Sequence, residues 1–296
     1  MTSAAARAPR GDDAIVVSGE FPFSRADFRD IAKFVKDTSG IELTESKASL
    51  VYSRLTKRLR ALGLKSFSDY RDVVNNDEAE RNRMLSALTT NVTKFYREIH
   101  HFEHLQKLFR GPLGDKAKRG ERIRIWSAAC SSGQEPYSIA LSILSVIPDA
   151  PKLDIKILAT DLSSDVVNHG RKGVYRAEEL QDIPVDVRKR WITPVNEGGE
   201  ALFSVADAAR ALITFRELNL MERWPMQGPF QIIFCRNVVI YFDQDTQIKL
   251  WQRFAGLMPS GGTLYIGHSE RLSGPAASQF KPDGITTFQL SKGARV

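Results

Sequence analysis

Apolar positions near the start of the chain recur at helical spacing. Phe28, Ile31, Ala32, Phe34 and Val35 form one such set, and Leu50, Val51, Leu55, Leu59 and Leu62 a second, which Gly63 stops. Residues 67–74 and 84–88 predict two further short helices. No strand-like alternation interrupts them, so residues 21–90 are expected to form a small all-helical domain. The run GPLGDKAKRG at 111–120 has loop composition, and residues 91–120 are read as a linker. The period then changes. Short apolar runs at 122–127 (RIRIWS), 154–160 (DIKILAT), 213–217, 231–235 (QIIFC) and 263–266 predict strands, with a closing strand near 286–290. Helical patterns at 136–146, 162–170 and 244–257 lie between them. This alternation predicts an α/β domain with a doubly wound, mostly parallel sheet over residues 121–296. Residues 173–212 break the rhythm and are read as an inserted subdomain.

Composition changes the picture little. Hydrophobic residues make up 42% and charged residues 26% of the 296, so a sizeable core can be buried. No apolar run approaches the roughly 18 residues that span a bilayer. Residues 1–13 are small and polar, and the segment 1–20 is read as a disordered tail without a secretion signal. The two cysteines, Cys130 and Cys235, fall where buried strands end, which disfavours a disulfide framework or thiolate zinc site and favours the cytoplasm. Charge matters more. The formal net charge is +7, and Lys47, Arg54, Lys57, Arg58 and Arg60 cluster on one predicted helix. That cluster is either a solvated face or a docking surface for an acidic partner.

Open parallel sheets bind ligands beyond the carboxyl ends of their strands. The first strand here runs into SAACSSGQEPYSIAL, whose small residues permit a tight turn and close backbone approach. With Gly133 as its single glycine it is no GxGxxG loop, which disfavours a dinucleotide and suits a cofactor without phosphates, such as S-adenosylmethionine. Asp161 ends the second strand, where a carboxylate serves either ribose hydroxyls or a helix N-cap. Asn219 and the run 234–237 (FCRN) place polar groups at two more strand ends. His100 and His104 share a helix face, but no third ligand follows at useful spacing, so no metal site is expected. His268, Ser269 and Glu270 are consecutive and cannot converge as a triad.

The chain resembles the chemotaxis receptor methyltransferases, the bacterial protein-glutamate O-methyltransferases. Five stretches carry the resemblance in family order: TTNVTKFYREIHHF (89–102), WSAACSSGQEPYSIA (126–140), LATDLS (158–163), GVYRAEEL (173–180) and FCRNVVIYFD (234–243). It implies a helical N-terminal domain, then a Rossmann-like methyltransferase domain with a small antiparallel β insertion. It carries cofactor roles onto Asn91, Thr93, Arg97, Glu135, Asp161, Asn219, Leu220, Arg236 and Asn237. Glu135 is expected at the ammonium of S-adenosylmethionine, Asp161 at its ribose, and the pair Arg97 and Tyr241 beside the transferred methyl. The family loop often has two acidic residues before its proline, whereas here the first is Gln134.

The implied substrate is the set of glutamates in the cytoplasmic methylation region of chemotaxis receptors. That gives the basic face of Arg54, Lys57, Arg58 and Arg60 an acidic target and implies recruitment to membrane receptor arrays. In some members the β insertion binds a pentapeptide at the receptor tail, and TPVNEGGE (193–200) leaves that open here. A monomer is expected. A nucleic-acid methyltransferase predicts aromatics interleaved with the basic run, and only Tyr52 and Phe67 are near. A non-catalytic cofactor sensor predicts loss of the methyl-side residues, yet Arg97 and Tyr241 are both present. A homologous enzyme acting on another signalling protein stays open.

Overall fold

The computed structural model of the chain describes residues 14–89, 91–197 and 200–291. The chain divides into two compact units, Met1–Thr90 and Asn91–Val296.

The first unit opens with a short antiparallel pair, β1 (Ile15–Val17) and β2 (Phe23–Ser24). The disordered tail expected over 1–20 is therefore corrected at its end, where the β-branched run IVV pairs as a strand; residues 1–13 lie outside the described residues. Four helices follow. Ser24 and Asp27 form a capping box for α1 (Arg25–Ser39), and Gly40 ends it in the left-handed conformation. Gly63 ends α2 (Ala48–Leu62) in the same way, so the predicted stop holds. Ser66 caps α3 (Phe67–Asn76) and Asp77 caps α4 (Glu78–Leu88). Phe23, Phe28, Leu55, Leu59, Phe67 and Tyr70 are buried in this unit.

The second unit begins with α5 (His100–Arg110) and α6 (Pro112–Lys118), where a linker was expected. Phe102, Leu105 and Phe109 join the main core, which is why α5 is part of the second unit and not a tether. Pro112 suits the first helical turn, and Gly114 is a close-packing residue: a Cβ there would lie 2.0 Å from the Phe109 carbonyl oxygen. Loop composition thus hid a helix. Next come β3 (Ile123–Ala128), α7 (Gln134–Val146), β4 (Ile155–Asp161) and α8 (Ser164–Lys172). The insertion contains β5 (Val174–Arg176), α9 (Val185–Trp191), β6 (Ile192–Glu197), β7 (Glu200–Val205) and α10 (Asp207–Arg210). Its strands make a three-stranded antiparallel sheet in the order β5-β7-β6.

The main sheet is completed by β8 (Ile213–Glu217), β9 (Ile232–Cys235), helix α11 (Gln244–Gly256), β10 (Thr263–Ile266), β11 (Phe280–Gly284) and β12 (Thr287–Leu290). Its order is β11-β12-β10-β9-β3-β4-β8. The strands from β10 to β8 are parallel, while β12 and β11 join antiparallel. β11 was not anticipated because it carries Pro282, which an edge strand tolerates. The chain leaves β3 toward β4 and β8, then returns to β9 on the other side. This switch point opens a crevice at the carboxyl ends of β3, β4 and β9. No helix among the described residues is long and apolar enough to cross a membrane.

Candidate active site

The loops above that crevice hold strained backbone. Among the described residues six non-glycine positions have positive φ, and five of them flank it: Tyr96 (51°), Glu98 (59°), Ala129 (69°), Ser131 (49°) and Asn237 (58°). Gly133 sits at φ 99° before α7, and a Cβ there would lie 2.7 Å from the Tyr175 hydroxyl and 2.9 Å from the Gly170 Cα. The loop after β3 is thus moulded tightly, without the several glycines of a phosphate cradle.

Two carboxylates face this loop. Asp161, at the end of β4, accepts from the Ser131 N–H at 2.8 Å and from the Ser163 N–H at 3.1 Å, one on each oxygen. Ser163 is the N-cap of α8, so the capping role weighed for Asp161 does not apply; the residue ties two strand-end loops together. Burial pushes its carboxyl above the usual range, against the backbone donors that favour the anion. A carboxylate has about four acceptor sites, so capacity remains for hydroxyl donors from a ligand. Glu135 lies in the first turn of α7. It accepts from the Ser127 hydroxyl at 2.7 Å and from Arg236 Nη1 at 2.9 Å. Burial raises its carboxyl too, opposed first by the Arg236 guanidinium.

Arg236, just past β9, organises the rest. Its side chain is 1% exposed. Besides Glu135 it donates to the Arg97 carbonyl and lies 3.4 Å from Glu98 Oε2. Glu98 Oε1 accepts from Asn237 Nδ2 at 3.3 Å and is 3.2 Å from His268 Nδ1. The Arg236 guanidinium, with His268, Asn237 and His101, holds the Glu98 carboxyl down to about 2, although burial works the other way. Arg97 is half-buried and donates from Nη1 to the Val92 carbonyl at 3.1 Å. The Asn91 carbonyl accepts from the Ser131 hydroxyl at 3.2 Å, joining this segment to the β3 loop, and Thr93 is half-buried between them in sequence.

The remaining expected residues are placed less directly. Tyr241 closes a 3-10 turn after Asn237, is half-buried, and shares no hydrogen bond with Arg97. Asn219 shapes the turn after β8: its side chain accepts from the Met221 N–H at 3.0 Å and donates to Glu222 at 3.3 Å. The Leu220 carbonyl accepts from Trp224 and Arg253.

Sequence reasoning missed several parts. Gln134 donates to Glu179 at 3.1 Å and accepts from the Ser132 hydroxyl, so an acidic residue at 134 would face a second carboxylate; its amide suits this chain. The Tyr175 hydroxyl donates to the Ser132 carbonyl at 2.8 Å, which docks the GVYRAEEL stretch on the cofactor loop. Glu270 accepts from the N–H groups of Gly267, Val238 and Val239 and so shapes the turn leading to Tyr241. His104, weighed with His100 in the sequence, contacts the Tyr265 hydroxyl at 2.8 Å and Asp283 at 3.4 Å. A set absent from the sequence reading, Glu98, His100 and His101, brings its ligand atoms within 4.8 Å of one another.

In the first unit the basic cluster is largely engaged. Arg58 grips the buried Glu80 through two hydrogen bonds of 2.8 and 2.6 Å. Arg54 donates to the carbonyls of Leu88 and Thr89, closing the end of α4, and Arg60 pairs with Glu20. Lys57 is exposed, and Lys47 precedes α2 instead of lying on it. Of the four cations expected at a docking surface, Arg54 and Arg58 thus also hold the fold, and Lys57 and Arg60 are the exposed ones.

A doubly wound sheet with one buried carboxylate at the end of β4, another in the first turn of α7, and no phosphate cradle fits S-adenosylmethionine, and the class is that of cofactor-dependent methyltransferases. Residues 91–288 match the family described as CheR methyltransferase, SAM binding domain, and residues 26–89 match CheR methyltransferase, all-alpha domain. The chain belongs to the CheR methyltransferase family. It is 53% identical over 255 residues to a probable chemotaxis protein methyltransferase of Rhizobium etli, covering 86% of this chain and 95% of the relative. It is 41% identical to chemotaxis protein methyltransferase 2 of Pseudomonas aeruginosa (85% and 88% covered) and 37% identical to the chemotaxis protein methyltransferase of Salmonella typhimurium (96% and 97% covered). The chain is a methyltransferase that uses S-adenosylmethionine in chemotaxis.

Proposed function

We propose that this chain transfers methyl groups to glutamate side chains in the cytoplasmic methylation region of chemotaxis receptors, forming methyl esters that adjust receptor output. Its relatives, named chemotaxis protein methyltransferases, support the receptor as partner. The observation that carries the reading is Arg97. Its carbonyl accepts from Arg236, which also holds Glu135, and its guanidinium donates to the Val92 carbonyl in the same segment.

When bound, S-adenosylmethionine supplies an electrophilic methyl on a sulfonium. A glutamate is already ionised near neutral pH, so the enzyme needs no strong general base. What it supplies is alignment, together with a charge that offsets the cost of drawing a carboxylate from water. Arg97 provides that charge, and Tyr241 adds a hydroxyl donor. Glu135 holds the cofactor's ammonium and Asp161 its ribose hydroxyls. Asn91, Thr93, Asn219, Leu220 and Asn237 complete the walls of that cofactor site.

Docking uses the N-terminal unit, with Lys57 and Arg60 as its outward charges. The protein acts as a cytoplasmic monomer recruited to receptor arrays. In the insertion, β5 and β6 are edge strands that a receptor-tail peptide can extend, although Pro194 removes one donor from β6. Methylation of a receptor cytoplasmic fragment, with and without acceptor glutamates replaced by alanine, tests the substrate; label retained after replacement contradicts it. Lys57→Glu is expected to slow methylation at low salt, with the difference shrinking as salt rises. Unchanged rates at low salt place docking elsewhere.

A further inference from the structure

We infer that Glu98, His100 and His101 form a binding site for a single divalent transition ion of the zinc class, beside Arg97 and outside the cofactor's own contacts. Glu98 Oε2, His100 Nε2 and His101 Nδ1 are all closed to solvent, and none makes a hydrogen bond. Buried polar atoms are almost always partnered; one ligand atom from each of the three residues lies within 4.8 Å of the others, and apart from the 3.4 Å ion pair of Glu98 Oε2 with Arg236 the buried atoms lack partners, which calls for a shared one.

The chemistry of the three atoms narrows what that partner is. The His101 side chain is fully buried. Its Nε2 lies 3.2 Å from the Ile285 carbonyl and 2.9 Å from the Thr286 hydroxyl. A carbonyl only accepts, so the network assigns the proton to Nε2 and leaves a lone pair on Nδ1. That lone pair faces Glu98 Oε2 at 3.6 Å, too long for a hydrogen bond and acceptor against acceptor. A cation between them resolves the conflict. The second nitrogen of a metal-bound histidine commonly donates to a backbone carbonyl, as His101 Nε2 does here. Two imidazoles and one carboxylate are a donor set that zinc-class ions accept, with further positions open to water. Glu98 is also held in the left-handed region at φ 59°, a strained placement for a residue with a side chain.

One feature of the surroundings limits affinity. Arg236 Nη2 lies 3.4 Å from the same Glu98 oxygen, so an entering dication meets a guanidinium. The site is therefore expected to bind reversibly, not as a structural centre. The competing occupant is a buried water that donates to two of the three atoms.

Titration of the metal-free full chain with Co2+, followed by visible absorption and by competition with Zn2+, tests the inference without any activity measurement. One equivalent with a nitrogen-and-oxygen spectrum is expected, displaced by Zn2+. His100→Gln and Glu98→Gln are each expected to weaken binding about 10-fold or more, with circular dichroism establishing that the variants are folded. His169→Gln, on α8 and outside the three-residue cluster, is expected to bind as the parent does. Absence of stoichiometric binding, or binding retained in both His100→Gln and Glu98→Gln, overturns the metal site and leaves water as the bridge.

Discussion

Arg236 Nη1 donates to Glu135 Oε2 at 2.9 Å, joining the end of β9 to the first turn of α7 across the mouth of β3. Burial raises the Glu135 carboxyl and the Arg236 guanidinium opposes that rise, while the same guanidinium donates to the Arg97 carbonyl. Glu135→Gln keeps the shape and removes the charge. Cofactor affinity, measured by calorimetry, is expected to fall by roughly 10- to 100-fold, in line with about 1.5–3 kcal/mol for a hydrogen bond to a charged group. Unchanged affinity would remove Glu135 from the cofactor site.

Arg97→Ala separates chemistry from folding. Arg97 is half-buried and its guanidinium donates one hydrogen bond to a loop carbonyl, so its loss is expected to change stability by about 1 kcal/mol or less. Turnover is expected to fall about 100-fold or more, the scale for removing a preorganised charge at the reacting group. Melting curves and single-turnover rates on one preparation distinguish the two effects.

Gly133→Ala probes the moulded loop. The backbone sits at φ 99°, and the added methyl meets the Tyr175 hydroxyl and the Gly170 Cα. A destabilisation of about 1–3 kcal/mol is expected from the strain, together with weaker cofactor binding, because the loop carries the Ser131 N–H that holds Asp161. A wild-type melt with wild-type affinity would show that the loop is not under this constraint.

Glu80 gives the N-terminal unit a pH signature. Burial works to raise its carboxyl, but the hydrogen bonds from Arg58 and Tyr70 outweigh it and the value lies below the ordinary range. A folded value below the unfolded one gives stability that is complete above the unfolded value of about 4.3 and is lost as pH falls through the folded value. Glu80→Gln is expected to destabilise this unit by about 3 kcal/mol at neutral pH and to flatten its loss of stability in acid. Urea melts across that range check both, and an unchanged acid limb would contradict the assignment.

The helices of the first unit were legible because each has one buried face, and the central parallel strands because their short apolar runs are buried on both; residues such as Gly63 mark helix ends. The strands 213–217 and 263–266 fall where the apolar runs placed them. α6 and β11 were not legible. Gly114 lies in a run of loop composition but answers close packing, and Pro282 stands on an edge strand that carried no strand pattern. Strand-end polar residues could be found by position, and the family motifs supplied their roles. Their partners could not be found, because the bonds of Arg236 and Gln134 cross between distant segments. The basic helix misled for a related reason: spacing reveals which cations are neighbours and not that Glu80 already holds one of them.

Base-labile methyl is the most direct measure of the central claim. After incubation with S-adenosylmethionine labelled in its methyl group and a receptor cytoplasmic fragment, the receptor band is treated with mild alkali and volatile methanol is counted. Release of the label as methanol is predicted, since a carboxyl methyl ester hydrolyses readily. Label that stays on the protein through alkali, as on nitrogen, or no label while cofactor binding is intact, would contradict the account.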